Sequence, residues 1–252
     1  MRTKTAIITG GSRGLGRDMA ISLAKNGIDI IFSYHSNSTK AEEVINDVKS
    51  LGQDAKAFQF DANDYKSGQA FIKSATDYLN KKNGNSSNFD FLINNAGTGT
   101  YNMVANTTED QFNEMMNVHL KSVYFMTQAA LPFLNDSGRI INISSGLARF
   151  SLPGMSVYAI MKGAIEVFTR YLAKELGDRK ITANTIAPGA IATDFAGGSN
   201  KDEDKAKMIA SITALGRVGE AEDIGGVVAF LCSDDAGWVN GQRIEVSGGM
   251  LV

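Results

Sequence analysis

The chain is short of cysteine, histidine, net charge and long apolar runs, and each shortage removes a class of function. Cys232 is the only cysteine in 252 residues, so no intrachain disulfide forms and no multi-thiolate metal site can be built. Its setting, Val-Val-Ala-Phe-Leu-Cys, makes it a small hydrophobe on an apolar helix face. His35 and His119 are the only histidines, which disfavours a multi-histidine centre, and no metal is expected. A net charge of −2, with no basic run longer than Lys81-Lys82, gives no footing for nucleic acid or an anionic membrane. No apolar stretch approaches the ~20 residues that span a bilayer. The apolar run after Lys4 ends in glycine too soon for a signal peptide, so a cytoplasmic location is expected. Triplets such as Asn37-Ser38-Thr39 are then chance matches to the glycan acceptor pattern. No repeat of solenoid period and no Pro-rich linker divides the chain.

What is present is a regular alternation of β-rich runs and helical patterns. Residues 5–9, 28–34, 55–60, 89–93, 139–143, 181–186 and 243–246 have strand character. Residues 15–26, 38–51, 64–79, 108–131 and 158–176 have helical character, the first two and the last closed by Gly27, Gly52 and Gly177. Thr108 and Gln111 have the spacing of a capping box. The succession predicts an α/β, doubly wound Rossmann fold: a mostly parallel seven-stranded sheet, helices on both faces, in one domain over residues 1–252. The polar segment 81–88 is expected as a loop. Segment 197–204 is the most irregular and follows strand six, where such folds place a crevice.

Between the first strand and first helix stands Thr9-Gly10-Gly11-Ser12-Arg13-Gly14-Leu15-Gly16. Glycine lets the backbone turn and approach a ligand closely, and the helix start offers unpaired N–H groups to a dinucleotide pyrophosphate. A carboxylate at the end of strand two would bond both ribose hydroxyls and repel a 2′-phosphate. The chain has Tyr34-His35-Ser36 there, with Arg13 as a nearby cation, so NADP(H) is expected over NAD(H). Asp61 and Ala62 after strand three face the adenine position. Asn95, Ala96 and Gly97 after strand four leave room for a flat ring, and Asn94 has a mainly structural role.

Tyr158 and Lys162 are four residues apart and share one helix face, with Ser145 leaving strand five nearby. A neighbouring ammonium and an oxidised nicotinamide both favour the phenolate and lower a tyrosine pKa. Ser145 can donate to a substrate oxygen, and Lys162 can also bond the nicotinamide ribose. Asn117 lies inside the long helix before strand five, where an amide can break a turn and hold water that feeds Lys162. His119 is expected as a packed or surface histidine.

Taken together, Thr9-Gly-x-x-x-Gly14-x-Gly16, Asn94-Asn-Ala-Gly97, Asn117, Ser145, Tyr158-x-x-x-Lys162 and Pro188-Gly189-x-Ile191-x-Thr193 resemble the short-chain dehydrogenase/reductase family over the whole chain. Within it the chain is most similar to the 3-oxoacyl-acyl-carrier-protein reductase group and related carbonyl reductases. The resemblance implies a catalytic tetrad of Asn117, Ser145, Tyr158 and Lys162. It places Pro188, Gly189, Ile191 and Thr193 around the nicotinamide carboxamide, and implies a homotetramer or homodimer paired through helices 108–131 and 158–176. A small carbonyl substrate is expected. Arg179 matches a basic position that would meet an acidic acyl carrier protein, whereas Asn135-Asp136 reverses the charge usual before strand five. Two competing functions use the same residues: a cofactor-binding regulator without turnover, and an epimerase or dehydratase that uses the cofactor transiently.

Overall fold

The computed structural model describes residues 3–84 and 86–252. Seven strands form one sheet: β1 (Thr5–Ile8), β2 (Asp29–Tyr34), β3 (Ala55–Gln59), β4 (Phe89–Asn94), β5 (Leu134–Ile143), β6 (Thr182–Pro188) and β7 (Arg243–Val246). All pairings are parallel, in the order β3-β2-β1-β4-β5-β6-β7. The order reverses between β1 and β4, and at such a reversal the carboxyl ends of the strands open a crevice. Eight helices accompany the sheet among the described residues: α1 (Gly14–Lys25), α2 (Ser38–Ser50), α3 (Tyr65–Lys82), α4 (Glu109–Met116), α5 (Ser122–Ala130), α6 (Ser156–Glu175), α7 (Glu203–Ser211) and α8 (Glu222–Leu231).

The strands are continuously apolar because both faces are covered. Ala6, Ile8, Ile30 and Phe32 pack with Met19 and Leu23 of α1, Val44 of α2 and Val228 of α8. Their alternates Ile7 and Ile31 pack on the other side with Phe71 and Ile72 of α3, Met126 of α5 and Leu172 of α6. Each of these side chains other than Ala6 contributes roughly 1.5–3 kcal/mol when fully buried. Cys232 is buried in the first of these clusters, and burial pushes its thiol up to about 12.

Four local departures from the sequence pattern have identifiable causes. Helix 108–131 starts on the expected capping box of Thr108 and Gln111, but a π turn at Asn117–Lys121 separates α4 from α5. Helix α3 runs on to Lys82, whose ammonium reaches Asp29 at 2.8 Å and Asp54 at 2.6 Å, with Tyr78 also donating to Asp54. The loop therefore begins at Asn83, and Asn85 lies outside the described residues. Strand β5 begins at Leu134, which pairs with Phe89 before the register shifts, so Asn135 to Gly138 form an irregularity within the strand, with Ser137 at φ 62°. Gly177 does not take a left-handed conformation as Gly27 and Gly52 do; a short 3₁₀ turn follows α6 and Lys180 takes φ 55° instead.

A buried polar chain ties the sheet to the helices bearing the site. Asn94 donates to Asn142 at 2.7 Å and to Thr127 of α5 at 3.1 Å. Asn142 donates to Thr169 of α6 at 2.9 Å, and Thr185 of β6 donates to the same hydroxyl at 2.8 Å. Asn94 thus has the structural role expected of it. Removing one member orphans its neighbours, at about 1–3 kcal/mol. Asn142→Ala should therefore lower the unfolding free energy by that amount in urea titration, and an unchanged midpoint would contradict the network's importance.

Candidate active site

The loop after β1 is shaped for close approach. Gly10 takes φ 68°, and a Cβ there would stand 3.1 Å from Ala96 Cα, so the loop lies directly against the end of β4. A Cβ on Gly16 would stand 2.1 Å from the Gly10 carbonyl oxygen, which no rearrangement of a side chain relieves. The Thr9 hydroxyl accepts from the backbone N–H groups of Asn95 and Ala96, and the Asn95 amide donates to the carbonyls of Thr9 and Gly10. Helix α1 begins at Gly14 with no acidic residue in its first turn and no side chain capping its N–H groups. Those groups and the helix dipole suit a pyrophosphate, and Ser12, Arg13 and Leu15 stand on the same turn.

The end of β2 is open. His35 and Ser36 are exposed beyond a half-buried Tyr34, and Arg13 is exposed with no ion-pair partner among the described residues. Asp61 serves its own turn: Oδ1 accepts from the Asn63 N–H at 2.9 Å, and Ala62 packs against the second core. On the far side, Gly189 passes within van der Waals reach of Ser247, Ile191 bridges to Gly219, and Thr193 lies over Gly14. Asp194 next to it pairs with Lys201 at 2.7 Å and with Lys40 of α2 at 3.6 Å, joining both sides of the crevice.

Ser145, Tyr158 and Lys162 come together at this crevice. Ser145 follows β5, and its carbonyl oxygen accepts from Arg243 at 3.3 Å. Its hydroxyl accepts from the Leu147 N–H and lies near enough to Tyr158 to favour the phenolate. Tyr158 is 8% exposed and packs with Met115, Val157 and Met161. Lys162 is buried, its ammonium 5.5 Å from the Tyr158 ring centre and donating to the Ile143 carbonyl at 2.7 Å. Burial brings the Lys162 pKa down from 10.5 to about 7. Burial also raises the Tyr158 phenol above its ordinary value, only partly offset by Ser145. Burial thus opposes the lowering expected from a neighbouring ammonium together with an oxidised nicotinamide.

Asn117 does not join this group. The π turn leaves it half-buried, donating to Asn63 at 3.3 Å, while turning His119 inward. The His119 ring meets Tyr158 edge-to-face at 5.0 Å, and its Nε2 lies 2.7 Å from the Thr98 carbonyl oxygen. A Cβ on Gly97 would stand 2.7 Å from His119 Cε1, so only glycine fits beside the ring. Phe195 approaches the other side of Tyr158, its ring 5.9 Å away. His119 and Phe195 were not singled out by motif. Glu166 had a signal: it continues the Tyr158, Lys162 spacing along the same helix face, and it accepts from Ser144 at 2.7 Å and pairs with Arg243 at 2.7 Å.

Residues 10–251 match the family model described as Enoyl-(Acyl carrier protein) reductase. A 3-oxoacyl-[acyl-carrier-protein] reductase, FabG, of Staphylococcus aureus is 36% identical over 252 residues, 99% of each chain. The chain belongs to the short-chain dehydrogenase/reductase family of oxidoreductases. Among solved members, the angucycline C-6 ketoreductase LanV with bound NADP superposes at a TM-score of 0.93 with 33% identity, covering 98% of this chain and 95% of that one. A blue fluorescent protein from a metagenomic library in complex with NADPH superposes at 0.91 with 35% identity, covering 99% and 98%. Among the described residues of this family member, no helix is long and apolar enough to cross a membrane.

The buried imidazole gives a pH signature. Burial first, then the Lys162 charge, pull the His119 pKa down from 6.5 to about 3, against the Thr98 carbonyl. As pH falls below 6.5 the unfolded chain takes up a proton that the fold refuses, so stability present above 6.5 is lost progressively toward 3. His119→Asn removes the titrating group and keeps an amide donor for Thr98. Its melting temperature should fall less than that of the wild type between about pH 7 and pH 4.5; parallel curves would rule out the burial of a neutral imidazole.

Proposed function

We propose that the protein is an NADP(H)-dependent carbonyl reductase that interconverts a ketone and a secondary alcohol. The observation that carries this reading is the buried Tyr158, beside Ser145 and one helical turn from a buried Lys162 whose ammonium lies 5.5 Å from its ring centre. NADPH, when bound, supplies the hydride for the carbonyl carbon. Tyr158 gives its proton to the carbonyl oxygen, or takes it back in oxidation. Ser145 donates a hydrogen bond to that oxygen and so fixes the substrate's approach. Lys162 favours the phenolate and returns a proton to it, while its remaining N–H groups hold ribose. Proton transfer of this kind is worth about 10²–10⁴-fold.

The stretch from Gly10 to Gly16 would hold the pyrophosphate, and Asn95, Ala96 and Gly97 would floor the nicotinamide site. Pro188, Gly189, Ile191 and Thr193 would close its far wall. The open end of β2 and the unpaired Arg13 support a 2′-phosphate, as do the coenzymes bound by the two similar structures. Free ketones are favoured over carrier-bound thioesters because Arg179 is committed locally. It pairs with Asp136 at 2.8 Å and also donates to the Leu131 and Leu134 carbonyls.

Tyr158→Phe should keep NADPH affinity within about 3-fold and lose at least ~10²-fold in kcat, the lower bound for losing a general acid. Retained turnover on every ketone tested would remove Tyr158 from the chemistry. Fluorescence titration should give a lower Kd for NADPH than for NADH, and Arg13→Ala should narrow the ratio by about 10-fold, one lost charge-assisted contact. An unchanged ratio would refute the assignment of Arg13.

We also infer a dimer or tetramer. Tyr124 on α5 and Ile160, Val167 and Tyr171 on α6 stand 44%, 57%, 46% and 62% exposed, which supports pairing of these helices with a second copy. Sedimentation of a monomer at micromolar concentration would exclude it.

A further inference from the structure

His119 is 1% exposed, and the roles of its two nitrogens differ. The 2.7 Å contact of Nε2 with the Thr98 carbonyl requires a proton on that nitrogen. The Thr98 N–H lies 3.4 Å from the same atom, a weaker contact that cannot set the tautomer. Nδ1 is then a bare acceptor, and it is buried without a hydrogen-bond partner among the described residues. Lys162 presents three donors, one of which is used on the Ile143 carbonyl. A buried cation with spare donors and a buried imidazole acceptor with none thus flank the same Tyr158 ring, the ammonium 5.5 Å and the imidazole centre 5.0 Å from its centre, and each is costly to leave unmet.

We propose that His119 is a positioning residue of the proton-transfer group, which pins the Tyr158 ring and accepts from the Lys162 ammonium through one water. The inference rests on Tyr158 being the acid. In reduction, Tyr158 loses its proton to the substrate oxygen, Lys162 passes a proton to the phenolate, and solvent water returns one to Lys162. The net uptake is one proton, and His119 stays neutral throughout. Its lone pair favours the charged lysine, so it holds Lys162 protonated to higher pH than burial alone would.

The charged and titratable groups around it on α6 are Tyr158, Lys162 and Glu166. Glu166 is committed to Ser144 and to Arg243 of β7. Lys121 of the π turn lies over the Tyr65 ring, 4.5 Å from its centre. The segment Gly97 to Asn102, which packs against the imidazole, carries Tyr101 as its only titratable side chain.

The test compares His119→Phe, which keeps an aromatic ring without an acceptor, with His119→Asn, which keeps donor and acceptor. Steady-state ketone reduction is followed across pH, with NADPH Kd measured for each. For His119→Phe we expect kcat to fall about 10-fold and its alkaline limb to move about one pH unit lower, a tenfold change in proton affinity. KM and NADPH Kd should stay within about 3-fold. His119→Asn should restore the limb. An unmoved limb in His119→Phe, or a limb equally displaced in both variants, would overturn the proposal and leave His119 as packing alone. If His119→Phe does not bind NADPH, His119→Ala is assayed with added imidazole, and failure to recover the limb counts against the proposal equally. Tyr158→Phe run alongside separates the two readings: turnover retained there defeats the acid assignment, whatever the His119 variants do.

Discussion

The site depends on one desolvated ammonium. Lys162 is 5% exposed and has no carboxylate partner among the described residues. A buried, unpaired cation is expensive, and the fold meets that cost with a backbone carbonyl rather than a counter-charge. The nearest carboxylate on the same helix face, Glu166, is drawn off by Ser144 and Arg243. Arg243 also pairs with Glu245 at 2.8 Å, and Glu245 pairs with Arg149, which donates to the carbonyls of Met250 and Leu251. The acids behind the site are thus occupied by arginines. An ion pair between Glu166 and Lys162 would raise the lysine pKa and hold its proton too tightly to move. The C-terminal turn is part of this arrangement, because Arg149 binds it to the same carboxylate that orders Arg243.

The π turn completes the arrangement from the other side. A wound-in extra residue changes which side chains face the sheet, and π turns occur often at functional positions. Here it brings His119 against Tyr158 and moves Asn117 out to Asn63. The loop after β4 is fitted to the result. Gly97 leaves space for the imidazole, and Thr98 anchors it. The same loop then crosses to the segment after β5, where Tyr101 lies over Gly154 and the Asn102 N–H donates to the Gly154 carbonyl at 2.9 Å. Both loops bordering the crevice are therefore held relative to Tyr158.

Most of this frame was legible in the sequence, because it rests on local rules. Two-sided burial makes continuous apolar strands, Thr108 and Gln111 make a cap, and glycines mark a backbone approached from outside. The alignment of Tyr158 and Lys162 follows from helical spacing alone. What was not legible depends on contacts distant in sequence. The Asn117 amide marks a break in the turn, but the 3.6-residue period gives no sign that the π geometry carries His119 inward in its place. The bulge in β5 arises from pairing Leu134 with Phe89, which no composition rule anticipates. The raised pKa of Tyr158 follows from how deeply Met115 and Met161 cover it, a matter of packing and not of spacing.

The same distinction separates apolar residues that face a ligand from those that only pack. Phe150, Leu152 and Met155 share one segment and one chemical character, yet the fold divides them. Phe150 lies under Gly146 with the Arg149 guanidinium over its ring, and Met155 joins the cluster around Tyr158. Leu152 alone stays 51% exposed, as do Tyr101 at 70% and Phe195 at 39% on the neighbouring loops. On the proposed reading, a substrate entering between these loops would meet these apolar side chains as well as the hydroxyls of Ser145 and Tyr158. Such a lining would suit a molecule that carries apolar groups beside its reacting carbonyl.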